Sequence, residues 1–219
     1  MNTTKSLDLK EEIIEELAYD PRINADDIAI TTKEGVVTLR GTVPNFNQKW
    51  EAEDAIKRIR GVRGIADELT VDLPSSHVRT DSDIALAIER RFASNIIIPS
   101  AVKFVVKDGH VTLSGEVPLY YQSQEAAYEA RRVIGVRDVS NLISVMPAPS
   151  FKTDEVKRKI HSELQRMADL DAKKIAVSVS EGKVTLSGSA RTWFEREKAV
   201  QAAWSIPGVT CVDNFIAID

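Results

Sequence analysis

A seven-residue motif that occurs three times constrains the fold of this chain more than any other feature. The motif reads Gly-x-Val-Thr-Leu-x-Gly and runs from Gly35 to Gly41, from Gly109 to Gly115 and from Gly182 to Gly188. Successive copies are 74 and 73 residues apart, and a third glycine keeps the same spacing, at Gly61, Gly135 and Gly208. Nine of the ten glycines therefore occupy three repeated positions, which predicts three copies of one structural module.

The repeat divides the 219 residues into three modules, 1–74, 75–147 and 148–219. Short linkers that contain proline and serine separate them, around Pro74 and between Pro147 and Pro149. Each module is close to the smallest size at which one apolar core holds a fold. We therefore expect the modules to contact one another.

Hydrophobic periodicity predicts the same order of elements in every module. Apolar residues four apart open each copy, as at Ile84, Ile88 and Phe92, and indicate an amphipathic helix. Two strands follow, joined by an acidic residue and a glycine, which favour a tight hairpin turn. An alanine-rich helix and a last strand complete the order α-β-β-α-β. The predicted class is α+β, with a three-stranded mixed sheet in each module, both helices on one face and the other face bare.

This order, the glycine motif and the ends of the copies resemble the BON domain, whose name stands for bacterial OsmY and nodulation. The ends have the form Gly-Val-x-x-Val-x-Asn-x-Ile-x-Val and run from Gly61 to Val71, Gly135 to Val145 and Gly208 to Ile218. The resemblance covers nearly the whole chain as three tandem copies. It implies a small non-enzymatic module of bacterial envelope and stress proteins that binds phospholipid surfaces or other envelope components. It supplies no catalytic residues, and one relative pairs the domain with potassium sensing.

Composition and motifs argue against several function classes. The net charge of −4 divides into −5, 0 and +1 over the three modules, so none has the basic excess of a nucleic-acid-binding domain. We predict no nucleic-acid partner, although residues 61–64 have the Gly-x-x-Gly spacing of a KH loop. No nucleophile with a base, phosphate loop or Cys/His cluster is apparent, so we predict no catalytic residue, cofactor or metal, and no enzyme.

The first twenty residues contain Lys10, Glu11 and Glu12 where an export signal would have an apolar core. No apolar run approaches the roughly 18 residues of a transmembrane helix. The single cysteine, Cys211, excludes an internal disulfide. The sequence predicts a cytoplasmic protein without a transmembrane segment, with the periplasm as the alternative if a signal has been removed. The oligomeric state is left open.

Aromatic residues recur where the second helix of each module begins. Phe46, Tyr120 and Trp193 each stand eleven residues after the first glycine of the motif, and Tyr121 and Phe194 follow the last two. Such residues either insert into a lipid interface or fix the start of the helix to the core. Both interpretations stay open, and the five residues form a candidate surface-binding set.

The bare sheet faces differ between modules. Val105, Leu142 and Phe215 occupy outward positions in modules 2 and 3, whereas module 1 has Glu68 and Thr70 at its outward positions. Because exposed apolar patches usually mark contacts, we expect these three residues to contact another module or a partner chain.

The sequence supports three functions. The first is a non-enzymatic binding protein of the BON type at phospholipid or envelope surfaces in the bacterial response to osmotic stress. The second is a soluble protein-protein scaffold or chaperone-like protein, and the third is a sensor of a cation or small ligand. For the acidic residues of the first helix we favour a solvated face over a cation site: Glu11, Glu12, Glu15 and Glu16.

Overall fold

The computed structural model describes residues 2–146, 153–167 and 172–219. Module 1 comprises α1 (Asn2–Tyr19), β1 (Ile28–Lys33), β2 (Val36–Val43), α2 (Phe46–Lys57) and β3 (Gly64–Val71). Module 2 comprises α3 (Asp81–Ser94), β4 (Lys103–Lys107), β5 (His110–Ser114), β6 (Glu116–Val117), α4 (Tyr120–Arg131), β7 (Asp138–Asn141) and β8 (Ser144–Val145). Module 3 comprises α5 (Thr153–Arg166), β9 (Ile175–Ser180), β10 (Lys183–Ala190), α6 (Trp193–Trp204) and β11 (Cys211–Ile218). Short 3-10 helices precede α3 and β9, at Ser75–His77 and Ala172–Lys174.

Each module contains a mixed sheet with the motif strand at its centre. In module 1 the order is β1-β2-β3, with β1 antiparallel and β3 parallel to β2. The order β9-β10-β11 repeats it in module 3, and β4-β5-β7 repeats it in module 2. Two helices cover one face of each sheet, and the predicted α+β class and element order are confirmed. The limits 1–74, 75–147 and 148–219 remain our proposed division, since the second limit falls outside the described residues.

The last strand of module 2 is interrupted, whereas the sequence predicted an unbroken strand from Val139 to Val145. Leu142 and Ile143 lie between β7 and β8. The hydrogen-bond ladder continues across the interruption, since Leu142 N–H donates to the Leu113 carbonyl at 2.9 Å. The Asn141 side chain accepts from Ile143 N–H at 3.2 Å, but Asp67 and Asn214 accept the same local bond in the unbroken strands β3 and β11, so this bond does not explain the interruption.

The core of each module lies between its helices and its sheet. The valine and leucine of the repeated motif are almost fully buried in every copy: Val37, Leu39, Val111, Leu113, Val184 and Leu186. Val and Leu alternate with outward-facing residues because successive side chains of a strand point to opposite faces. The repeat in the sequence is therefore a repeat of core positions.

The second helices of the three modules meet and join the modules in a closed ring. Modules 1 and 2 are linked by Arg131, whose guanidinium carbon lies 3.6 Å from the ring centroid of Trp50. Modules 2 and 3 are linked by Tyr120 and Trp204, whose rings stack with centroids 5.1 Å apart and planes 10° apart. Modules 3 and 1 are linked by Lys57 Nζ, which lies 3.1 Å from Glu197 Oε1, where α2 packs on α6.

The three apolar residues on the bare sheet faces are largely exposed in the part of the chain that the structure describes. Phe215 is 68% exposed, and Val105 and Leu142 are each 66% exposed. The prediction that modules 2 and 3 cover these faces against each other is therefore wrong. The described contacts between modules are made by the second helices and, between modules 1 and 2, also by Val71 at the end of β3. Contact with a partner chain stays a prediction.

Two glycines at equivalent positions have similar backbone angles but different amounts of space around them. Gly61 and Gly135 have φ of +91° and +100°, in the region that favours glycine. A Cβ on Gly61 would meet nothing within 4 Å, whereas one on Gly135 would lie 2.8 Å from Arg79 Cβ and 3.0 Å from Ile84 Cγ1. We expect Gly61→Ala to lower the free energy of unfolding by about 1 kcal/mol and Gly135→Ala by about 2–3 kcal/mol. Urea unfolding measures both, and equal losses would contradict the crowding around Gly135.

Candidate functional site

The aromatic residues at the starts of the second helices have different surroundings in the three modules. Phe46 is only 9% exposed and belongs to the buried cluster of module 2, with Ile88 and Leu113. Its predicted insertion into a lipid surface is therefore wrong, because its ring is already inside protein. The alternative interpretation, that the aromatic ring fixes the start of the helix to a core, agrees better with its burial. However, the core that Phe46 enters is that of the neighbouring module.

Tyr120 is engaged in the stacking on Trp204 that joins modules 2 and 3. Burial raises the pKa of its hydroxyl, and the negative charge of Glu197 adds to the effect. In module 3 each aromatic ring lies against a cation: Arg196 is 3.9 Å from the Trp193 ring, and Lys198 is 5.0 Å from the Phe194 ring.

Tyr121 is exposed, whereas Trp193 and Phe194 are half-buried. A role of these three residues at a surface stays a prediction. The five aromatic residues do not form one patch, because Phe46 and Tyr120 serve contacts between modules.

A groove on module 2 combines positive charge with exposed apolar side chains. It has a volume of about 550 Å³ and lies between α3 and the end of α4. Helix α3 contributes one face, with side chains three and four residues apart. The groove is lined by Arg79, Asp83, Leu86, Ala87, Arg90, Arg91, Arg132, Val133 and Ile134.

The four arginines of the groove differ in the hydrogen bonds and ion pairs that their side chains make within the protein. Arg91 is paired with Glu129 at 2.6 Å. Arg79 donates to two backbone carbonyls, and Arg132 donates to the Tyr128 hydroxyl at 2.6 Å. The Arg90 side chain makes no hydrogen bond or ion pair with any described residue. Arg90 therefore has its whole guanidinium available for an external anion.

Asp83 is the one acidic residue that lines the groove. Its carboxylate is held by the hydroxyl and the backbone N–H of Thr80, which lower its pKa. This capping box at the start of α3 engages Asp83 Oδ2 locally. Arg90 lies two helical turns from Asp83, so the Asp83 carboxylate does not form an ion pair with the Arg90 guanidinium.

The apolar part of the groove is exposed to solvent. Leu86 is 57% exposed and Ile134 is 51% exposed. Arginines next to exposed aliphatic side chains form a surface suited to a ligand that carries both a negative charge and an apolar part.

The matching positions of the other modules lack this combination. Leu86 and Arg90 stand two residues before and after the buried Ile88. The corresponding residues around Ile13 in module 1 are Glu11 and Glu15, and those around Ile160 in module 3 are Arg158 and Ser162. The groove is therefore a feature of module 2 and not of the repeat.

Sequence reasoning missed this groove. The net charge of module 2 is zero, which concealed four arginines on one side of it. The signal was present in the first helix, where the outward positions beside the buried stripe change from acidic in module 1 to leucine and arginine in module 2. In module 1, Glu11, Glu12 and Glu15 are exposed, and Glu16 pairs with Arg58 at 3.1 Å.

Two features of the structure bear on other kinds of site. Across the described ranges, no group of three or more His, Cys, Asp or Glu side chains is placed to hold a metal ion. Among the described helices, none is both long and apolar enough to cross a membrane.

The family model of the BON domain matches residues 6–72, 80–147 and 152–219. The chain belongs to the BON domain family. Its three BON domains coincide with the three copies of the glycine motif, as the resemblance in the sequence indicated.

A curated relative is the osmotically-inducible protein Y of Escherichia coli (strain K12), which is 36% identical over 124 residues. The match covers 54% of this chain and 62% of that protein, so it spans less than two thirds of the relative. Two solved chains of CdsD, a structural protein of the type III secretion system of Chlamydia trachomatis, are each 17% identical. They cover 97% of this chain and are themselves covered to 92% and 98%, at TM-scores of 0.28 and 0.27, too low to support an argument.

The surroundings of Phe46 and Tyr121 predict opposite results on mutation. We expect Phe46→Ala to lower the free energy of unfolding by about 3–5 kcal/mol, because it removes a ring from the core of module 2. We expect Tyr121→Ala, at an exposed position, to change it by no more than about 0.5 kcal/mol. Urea unfolding of the full chain measures both. A loss below about 1 kcal/mol for Phe46→Ala would show that its ring does not support module 2.

Proposed function

We propose that this chain is a non-enzymatic binding protein that attaches to anionic phospholipid surfaces through the groove of module 2. The observation that carries the proposal is the placement of Leu86 and Ile134, both exposed, beside the unpaired Arg90. Phospholipid headgroups offer phosphates to arginine, and the acyl region accepts aliphatic side chains. Module 1, with Glu11 and Glu15 at the matching positions, is repelled by the same surface.

The expected energies are sufficient for reversible attachment. A basic residue near an anionic membrane contributes about 1 kcal/mol, and a buried aliphatic side chain contributes about 1.5–3 kcal/mol. Arg90, Leu86 and Ile134 together therefore favour binding by several kcal/mol before the costs of ordering. The electrostatic part decreases with salt because the groove is exposed.

Vesicle binding tests the proposal. We expect the full chain to co-sediment with vesicles of phosphatidylcholine and phosphatidylglycerol, and much less with phosphatidylcholine alone. Arg90→Glu reverses a charge, so we expect it to lower the affinity about tenfold or more. Leu86→Asp is expected to have an effect of similar size because it removes an inserted side chain.

The repeat supplies a matched control for the charge reversal. Ser162→Glu places the same carboxylate at the corresponding position of α5 in module 3, and we expect it to leave vesicle binding unchanged. If Arg90→Glu and Ser162→Glu weaken binding equally, the groove is not the binding site. Equal binding of the parent chain to both kinds of vesicle would contradict the preference for anionic lipid.

We place this activity in the osmotic stress response at the bacterial envelope. The support is family membership and the name of the osmotically-inducible relative, which matches over a little more than half of this chain.

A second candidate function is a scaffold that binds protein through the bare sheet faces, favoured by the exposure of Phe215, Leu142 and Val105. If a second copy covers these faces, we expect light scattering to give a mass above that of one chain. Phe215→Asp should then return the mass to that of a single chain. Tyr19→Asp, at an exposed position of α1, is the control. A parent chain that is already monomeric at high concentration would argue against a second copy.

A further inference from the structure

A small pocket lies at the junction of modules 1 and 2. Module 1 lines it with the start of α2 and with Leu73, and module 2 lines it with Arg131 and the residues after it. Its volume is about 220 Å³. That is the volume of roughly seven water molecules in the liquid. The pocket shares residues 132–134 with the groove proposed for phospholipid, but neither Leu86 nor Arg90 lines it, so it is a separate site.

Arg131 is held in this pocket by two aromatic rings. Its guanidinium carbon lies 3.6 Å from the ring centroid of Trp50 in module 1 and 4.9 Å from that of Tyr128 on α4. Aromatic rings contact the flat faces of a guanidinium, whereas its N–H donors lie in its plane. Among the described residues those donors have no hydrogen-bond or ion-pair partner, and Arg131 Nε is shielded from solvent as well. Arg131 therefore combines a fixed position with unused donors.

The neighbouring carboxylates of α2 are paired with other arginines. Glu51 Oε2 lies 2.8 Å from Arg22 Nη1. Asp54 Oδ2 lies 2.9 Å from Arg58 Nη1. Burial lowers the pKa of the Arg131 guanidinium and outweighs the opposing charges of Glu51 and Asp54, which form no ion pair with it. No carboxylate is among the described residues that line the pocket. Because a partly buried cation without a hydrogen-bonded counter-charge is costly, the pocket favours an anion from outside.

The junction of modules 3 and 1 shows which group is missing from this pocket. Arg131 corresponds to Lys57 in the repeat, and Trp50 corresponds to Glu197. Lys57 Nζ lies 3.1 Å from Glu197 Oε1, so that junction pairs its cation with a carboxylate. At the junction of modules 1 and 2 the cation is present, but a tryptophan ring occupies the position of the carboxylate. The positive charge of Arg131 therefore lacks the counter-charge that the equivalent contact has.

The rest of the pocket supplies further donors and an apolar surface. Asn45 caps α2 by accepting from Gln48 N–H at 3.0 Å. Asn47 lines the pocket from the first turn of α2, where backbone N–H groups have no acceptor within the helix. The positive end of the helix dipole adds to the attraction of an anion. Leu73 and Val133 are both buried and supply aliphatic surface. The lining therefore fits a molecule that has an acidic group and an apolar part.

We propose that this pocket binds a small organic anion whose carboxylate or phosphate pairs with Arg131 and whose apolar part packs on Leu73 and Val133. The acidic group supplies the counter-charge that Glu197 supplies at the junction of modules 3 and 1. The pocket is smaller than the roughly 300–1,000 Å³ of sites for drug-sized ligands, so it suits a compact acid and not a whole phospholipid. Because both modules line the pocket, the bound anion also strengthens the junction between them.

NMR of the full chain with benzoate and phenyl phosphate as probes tests the proposal. The Nε–H resonance of Arg131 is assigned by its loss in Arg131→Gln. We expect at least one of the two acids to shift this resonance in a saturable way, with a dissociation constant of about 1 mM or below. Benzyl alcohol, which has the ring without the charge, should not shift it. If neither acid gives a saturable shift, or if benzyl alcohol gives the same shift, the proposal is wrong.

Calorimetry with the acid that binds shows whether Arg131 is the ligand-binding group. We expect Arg131→Gln to weaken binding about tenfold or more, because an amide forms no ion pair. Since this change also alters the contact with Trp50, Asn47→Glu is the second variant. It keeps Arg131 and places a carboxylate in the pocket, so it should weaken binding by a similar factor. Gln124→Glu adds the same charge at an exposed position of α4 outside the pocket and should bind like the parent.

The melting temperature gives an independent measurement. Asn47→Glu should raise it in the parent chain, because the new carboxylate supplies the missing counter-charge to Arg131. In the Arg131→Gln background the same change keeps only the stabilisation that an acidic residue gives to a first turn, so the increase should be smaller. An equal increase in both backgrounds would overturn the proposal, as would parent-like binding of the acid by Arg131→Gln or Asn47→Glu.

Discussion

The contacts among α2, α4 and α6 hold the rest of the structure in place. Each module has a small core, and the apolar residues on the open sheet faces, Val105, Leu142 and Phe215, are largely exposed. The contacts that join the modules include a cation on an aromatic ring, a stacked pair of rings and an ion pair, one at each junction. At the junction of modules 1 and 2, Phe46 also packs into the core of module 2. These contacts fix the positions of the modules relative to one another, whereas the groove lies within module 2 alone.

The junctions are chemically different although the modules are copies of one another. Arg131 and Trp204 occupy matching positions on α4 and α6, yet one contacts Trp50 and the other contacts Tyr120. Lys57 is their counterpart on α2, and it pairs with Glu197. The interior motif is preserved almost letter for letter because core packing tolerates little change. Contacts at the surface of a module tolerate more change. Each junction therefore has a different pair of side chains, and the outer faces of the first helices differ in charge.

The sequence was sufficient to predict the fold but not the sites. The spacing of the glycine motif and the alternation of Val37 and Leu39 define one module, and local periodicity then gives the element order. The position of Phe46 in the core of module 2 could not be predicted, because it depends on how modules dock. The groove joins residues from α3 and from the end of α4, and the charge balance of a module does not show which charges are neighbours. Comparison of matching positions between copies does show where one module departs from the others.

The closed ring also affects the order in which the chain assembles. Lys57 and Glu197 are about 140 residues apart, so the contact between the first and last modules carries the largest loop-closure entropy of the three junctions. Because domains generally fold as units in the order of synthesis, we expect modules 1 and 2 to dock before module 3 is complete. The ring closes only when α6 is complete, and until then one side of α2 is open to solvent. The last helix of the chain thus acts as the closing segment of the whole assembly.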